Sequence, residues 1–219
     1  MDENELDQQS PDDVFLTAVL FECALAVVAV FLGWSIGPSA RAMVPSLELA
    51  QWWPLLSGVL YGLLATVPVL LFIEIVRRIP WEPIRELERF SDDGMMKTLL
   101  QLRSSELILI SLCAGIGEEL LFRGWLMYGV LAVCTGWLEV SPQAGMATAL
   151  VFSSVVFGLF HPITKLYVVL ATLIGLYFGA LVLFTGNLLI PITAHAAYDA
   201  FQLIMTARAG DQQDSIEAV

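Results

Sequence analysis

The stretch Cys113-Ala-Gly-Ile-Gly-Glu118-Glu119-Leu-Leu-Phe-Arg123-Gly-Trp125 puts three charged side chains into a run that otherwise reads as membrane helix. Leu107–Leu112 precedes it and Leu126–Cys134 follows it, both apolar. An ionised side chain at a bilayer centre costs about 2.5–3.5 kcal/mol on insertion scales. Three of them without partners would cost on the order of 8–10 kcal/mol. A chain that keeps such residues in lipid is expected to use them.

The composition around this stretch agrees with a membrane setting. Of 219 residues, 58% are hydrophobic and 15% charged, where a soluble domain would carry about 25% charged. Apolar runs of about 20 residues, the length of a membrane span, fall at Val14–Gly37, Trp52–Val76, Glu106–Cys134, Pro142–His161, Leu166–Phe184 and Leu188–Ala207. The expected fold class is all-α, a polytopic transmembrane helical bundle of about six spans. A polar connection from Arg77 to Ser105 holds an expected cytoplasmic amphipathic helix, Glu82–Phe90. The organisation read from this is a disordered acidic N-terminus over 1–13 and two spans with the connection over 14–105. A motif-bearing core over 106–207 and an acidic tail over 208–219 complete it. Asn187 is placed to cap the sixth helix, with Pro191 early in it, where proline is tolerated.

Charge orients the bundle. Arg77, Arg78, Arg85, Arg89, Lys97 and Arg103 share one connection, and Lys165 and Arg208 fall on the same side of a six-span drawing. Only Arg41 falls opposite. The positive-inside rule then makes both termini cytoplasmic. Trp52, Trp53 and Trp137 fit the other interface. The expected location is a prokaryotic-type plasma membrane. No cleavable signal peptide is visible, because the first residues are acidic rather than basic. The formal net charge of −12 and the lack of a basic patch exclude nucleic acid as a partner. Cys23, Cys113 and Cys134 lie in apolar runs without a CxxC pair and read as small hydrophobes.

The other intramembrane polar residues fall at helical spacing. Positions four apart share a helix face, so Glu119 can pair with Arg123. Glu118 lies ~100° from Glu119 and ~140° from Arg123 on the helical wheel, and so escapes that pairing. Burial without a cation favours the neutral form of a carboxyl, which is what a general base working near neutral pH needs. Glu119–Arg123 is therefore expected to be structural and Glu118 to do chemistry. The chain has two histidines, His161 and His195. His195 shares a face with Asp199, which can fix its tautomer or stabilise its charged form. Phe157 shares a face with His161 and can wall one side of a site. A water between Glu118 and His161, with His195 near, would make a hydrolytic centre in a polar cavity open to one side. Glu74 is expected to pair locally with Arg77 or Arg78, and Glu22 to be a packing or pairing residue. Gly175, Gly179 and Gly186 are expected to allow close helix contacts.

The ordered set Glu118-Glu119-xxx-Arg123, Phe157-xxx-His161 and His195-xxx-Asp199 resembles the CAAX prenyl endopeptidase and bacteriocin-processing family, which also includes bacteriocin self-immunity proteins. The likeness covers roughly Glu106 to Ala207. It implies intramembrane proteolysis by a glutamate-activated water, with no obligatory metal or other cofactor. By matching positions, Glu118 and His161 would activate the water, while His195 and residue 199 would stabilise the oxyanion. Glu119 and Arg123 would be structural. Prenyl-protein-cleaving relatives have asparagine at the last position, an N–H donor. An ionised Asp199 cannot donate, so it either carries a proton or acts through a charged His195. The implied partner is a membrane-associated peptide or a lipidated protein, such as a CAAX-type substrate, a bacteriocin or a leader.

Three other readings compete. Glu118, His161 and His195 could hold zinc, since two histidines and a carboxylate make a catalytic set, although no HExxH motif is present. A non-enzymatic immunity or peptide-binding protein could use the same cavity. A proton-coupled transporter would use buried carboxylates and histidines too, but no duplicated halves are visible.

Overall fold

The computed structural model describes residues 10–46, 48, 52–89 and 94–217. Among them there is helix and no strand. Helix α1 spans Pro11–Ser35 and begins inside the segment expected to be disordered. Its start is a local signal: the Ser10 side chain accepts from the Asp13 N–H, Pro11 opens the first turn, and Asp12 and Asp13 sit at its positive end. The acidic residues before Ser10 lie outside the described residues. Helix α2 spans Trp52–Arg77 and contains Pro68. Both helices are apolar on every side. Leu16, Leu20, Phe21 and Phe31 of α1, with Leu63, Leu64 and Leu71 of α2, stay exposed on the bundle's outside, as a lipid-facing surface requires.

After α2 the chain turns at Pro80 into α3, Glu82–Arg89. Its charged side pairs Glu82 with Arg85 and Arg89, and its other side buries Ile84. Phe90, the expected end of this helix, lies outside the described residues. Helix α4, Gly94–Leu100, follows. Helix α5, Ser104–Glu119, starts at a reciprocal cap in which the Glu106 carboxylate accepts from the Arg103 backbone N–H. The chain then winds through one wide π-helical turn, Leu120–Leu126, closed by the Met127 N–H donating five residues back to the Phe122 carbonyl. It continues as α6, Met127–Gly136. Helix α7 is Pro142–Leu159, capped by Ser141. Helix α8 is Lys165–Thr185, capped by Thr164 and stopped by Gly186. Gly186 has φ 63°, so it ends a helix and does not seat a neighbouring one as expected. Asn187 caps α9, Leu189–Glu217, by accepting from the Leu189 N–H at 3.0 Å. The backbone of α9 stays helical well into the acidic tail, where Ala, Arg, Gln and Glu are good helix formers.

Four helices, α1, α2, α7 and α8, are long and apolar enough by themselves to cross a membrane. The expected third and sixth spans do not pass that test alone, for a physical reason. One is interrupted by the π turn and carries Glu118, Glu119 and Arg123; the other carries His195 and Asp199 and ends in polar sequence. The helices that hold the polar residues are the ones whose hydropathy those residues dilute.

Small residues bring α9 to the centre. A Cβ on Gly115 of α5 would stand 2.8 Å from the Ile192 carbonyl oxygen and 3.0 Å from the Ala196 nitrogen. A Cβ on Gly62 of α2 would stand 2.5 Å from Thr193 Cβ on the other side of α9. Helices in lipid associate through such close backbone approach, because hydrocarbon offers no hydrophobic drive between them. Helix α9 is thereby clamped between α2 and α5, and α1 lies against α5, with the Glu22 carbonyl over Gly117.

Candidate active site

Helices α5, α7 and α9, with the π turn, bring the three motifs together. Glu118 is 7% exposed, and Glu119 and Arg123 are fully buried. Arg123 Nη1 donates to Glu119 Oε1 at 2.9 Å, the expected pair. The guanidinium also lies over the Phe157 ring, 4.1 Å from its centroid, an attraction that strengthens on burial. Gly175 of α8 makes room for it: a Cβ there would be 3.0 Å from Arg123 Nη2. This is the close contact expected of Gly175, made to a side chain.

The second partner of Glu119 has no local spacing to announce it. His195 Nδ1 lies 2.9 Å from the same Glu119 Oε1. Its other nitrogen, Nε2, lies 3.2 Å from Asp199 Oδ2, the expected i, i+4 pair. His195 thus has a carboxylate at each end of its ring. Phe178 of α8, fully buried, stacks on it with centroids 5.2 Å apart. The imidazole is held by two polar contacts and one aromatic face.

Glu118 points elsewhere, as the helical wheel requires. Its Oε2 is buried, has no hydrogen-bond partner among the described residues, and faces His161 Nε2 at 3.7 Å. That distance is too long for a hydrogen bond. Two atoms so placed can both contact one water at about 2.8 Å from each. His161 lies just beyond the end of α7, where its N–H returns to the Gly158 carbonyl at 3.0 Å. Its Nδ1 lies 2.8 Å from the Phe157 carbonyl oxygen. A carbonyl only accepts, so Nδ1 carries the proton and Nε2 of the neutral ring presents a lone pair towards Glu118. Phe157 packs against both histidines, with centroids 4.8 Å from His161 and 5.9 Å from His195, and is the expected wall.

Both histidines line one cavity of ≈ 550 Å³, within the range of small-molecule sites. Asp199, Tyr167 and Phe178 share its wall. Arg77 of α2, Ile84 of α3 and Met96 of α4 also line it, on the side of the basic connection. The short α7 removes an apparent conflict of depth: it ends at Leu159, so His161 hangs below it at the level reached by Glu118.

The remaining expectations divide. Glu74 bonds Arg78 at 2.7 Å, as expected of a local pair. Glu22 was expected to pack or pair, yet its Oε2 is buried with no partner among the described residues. The zinc set does not assemble: among the described residues no three His, Cys, Asp or Glu side chains are grouped to hold a metal ion. Both nitrogens of His195 face Glu119 and Asp199. The sequence gave no sign of Phe178, of Tyr167, or of the reach from Glu119 to His195. These depend on which helices become neighbours.

Residues 101–201 match the family model of the type II CAAX prenyl endopeptidase Rce1-like proteins. This span holds all three motifs and the cap of α5, and it is an Rce1-like domain, the family the motifs resemble. The chain is a multi-pass membrane protein carrying the domain of a protease family. No curated protein and no solved structure matches it significantly.

Proposed function

We propose that this protein, with its Rce1-like domain over residues 101–201, is an intramembrane endopeptidase that uses a water held between Glu118 and His161. The observation that carries the reading is the 3.7 Å approach of Glu118 Oε2 to a His161 nitrogen with its lone pair free. A water that donates one hydrogen to each would have its own lone pair released for attack. Glu118 takes the proton as general base and returns it to the leaving amine. Arg123 neutralises Glu119, and Glu119 orients His195 towards the cavity, where Asp199 sets the far nitrogen. No step requires a cofactor.

The substrate we infer is a membrane-associated peptide or lipidated protein of the CAAX type, with a bacteriocin or leader peptide as the other member of the class. A cavity walled by aromatic and aliphatic side chains, with few polar groups, suits a peptide that arrives from lipid. We read Ser104–Gly136 and the first part of α9 as spans three and six, both termini as cytoplasmic, and α3 as an amphipathic helix at the cytoplasmic mouth. Eight basic residues on that side against one on the other support this orientation.

The test is cleavage of an internally quenched farnesylated CAAX peptide by the purified protein in detergent, beside an unlipidated transmembrane peptide. Glu118→Gln should stop cleavage of whichever peptide the wild type accepts. Membrane-fraction proteomics with and without Glu118→Gln then reveals the natural substrate. A Glu118→Gln protein that still cuts would end the mechanism.

A further inference from the structure

The proposed reaction needs a hydrogen-bond donor for the oxygen of the attacked carbonyl, and the matched positions supply none that is free. Asp199, when ionised, only accepts. Both nitrogens of His195 face carboxylates, Glu119 at 2.9 Å and Asp199 at 3.2 Å. His161 spends its Nδ1 proton on the Phe157 carbonyl and turns a lone pair to Glu118. Arg123 is fully buried away from the cavity. Tyr198 is paired with Gln202.

Tyr167 is the donor left over. It lines the cavity beside both histidines, and its ring centroid lies 6.0 Å from that of His161. It sits in the first turn of α8, where its backbone N–H donates to the capping Thr164 Oγ1 at 3.1 Å. That cap fixes the start of the helix and hence the direction of the side chain. The phenol oxygen is close enough to Glu118 and Asp199 to feel their charge. Among the described residues it makes no hydrogen bond to protein.

We propose that the Tyr167 hydroxyl is a catalytic hydrogen-bond donor to the oxyanion of the tetrahedral intermediate. This rests on the peptidase reading above. The water oxygen forms a bond to the carbonyl carbon as its proton passes to Glu118, and the C=O π pair moves onto oxygen. The Tyr167 O–H hydrogen-bonds that oxygen and keeps its proton. Collapse reforms the C=O bond and breaks the C–N bond, and the amine leaves with the proton from Glu118. The Asp at position 199, an acceptor where a donor is wanted, is offset by a tyrosine on the facing helix.

The experiment compares Tyr167→Phe with wild type on the farnesylated CAAX peptide, and on a non-cleavable phosphinic analogue that presents tetrahedral oxygens. Losing one such donor lowers kcat by about 10²–10³-fold. The expected result is that loss, with KM within about threefold, affinity for the analogue reduced by a comparable factor, and an unchanged melting temperature. A kcat within about twofold of wild type overturns the assignment. So does a loss of kcat with unchanged affinity for the analogue, which would make the residue structural. Wild-type protein that cuts no membrane peptide sinks the peptidase reading, and this inference with it, before the variant is compared.

Discussion

His195 Nδ1 and Arg123 Nη1 meet the same oxygen of Glu119, each at 2.9 Å, in a site closed to solvent. The second glutamate of the pair is thus the hub that joins α9 to α5, and its neighbour Glu118 is left free. Adjacent residues of one type take different tasks because successive helix positions point ~100° apart.

Arg123→Ala should destabilise the protein strongly. It strands the fully buried Glu119 charge and removes the cation over Phe157. Removing one partner of a buried pair costs about 3–5 kcal/mol. Chemical denaturation in detergent should show that loss, and a variant within about 1 kcal/mol of wild type would deny Arg123 its role.

Glu118→Gln and Glu119→Gln should separate catalysis from architecture. The first keeps shape and removes the base, so cleavage should fall by about 10²–10⁴-fold with little change in melting temperature. The second disturbs both Arg123 and His195 and should lower the melting temperature as well. His195→Ala belongs with the second group, since its ring fills the space between Phe178, Glu119 and Asp199. Thermal melts beside turnover assays distinguish the two classes, and equal behaviour of the two glutamine variants would contradict the division.

Asp199→Asn should keep most of the activity, because an amide oxygen can still accept from His195 Nε2 and the new N–H can reach the cavity. Asp199→Ala removes the contact at 3.2 Å and should lose about tenfold or more, roughly 1.4 kcal/mol in the barrier. Steady-state kinetics on the same peptide decide it, and an alanine variant more active than the asparagine one would reverse the interpretation.

Gly115→Ala should damage a site that it does not touch. Its added methyl would meet the Ile192 carbonyl and push α9 away from α5, lengthening the reach from Glu119 to His195. Overpacking of this kind costs about 1–3 kcal/mol. Reduced activity with reduced stability is the expected pair of results, and a fully active alanine variant would show that the two helices can slide apart freely.

The i, i+4 pairs Glu119–Arg123 and His195–Asp199 were legible in the sequence because one helix turn places both partners. So were the freedom of Glu118 and the cap at Asn187. The bond from Glu119 to His195 spans 76 positions, and no periodicity carries that information. The same holds for Phe178 and Tyr167, which on α8 read as ordinary aromatic residues of an apolar helix. The span count was the weakest expectation, because hydropathy fades in the two segments that carry charge. The helical start at Pro11 was overlooked although Ser10, Pro11, Asp12 and Asp13 spell it, since acidic composition outweighed the cap.

The wide turn at Leu120–Leu126 amounts to one amino acid more than an even spiral would hold. Deleting a single residue there would let the coil close up and would rotate all that follows by roughly 100° relative to the paired acids. Met127 and Cys134, now hidden, would swing outward. The protein's tolerance of insertions and deletions should therefore be poorest at this point, in the middle of a segment whose composition looks no more demanding than its flanks.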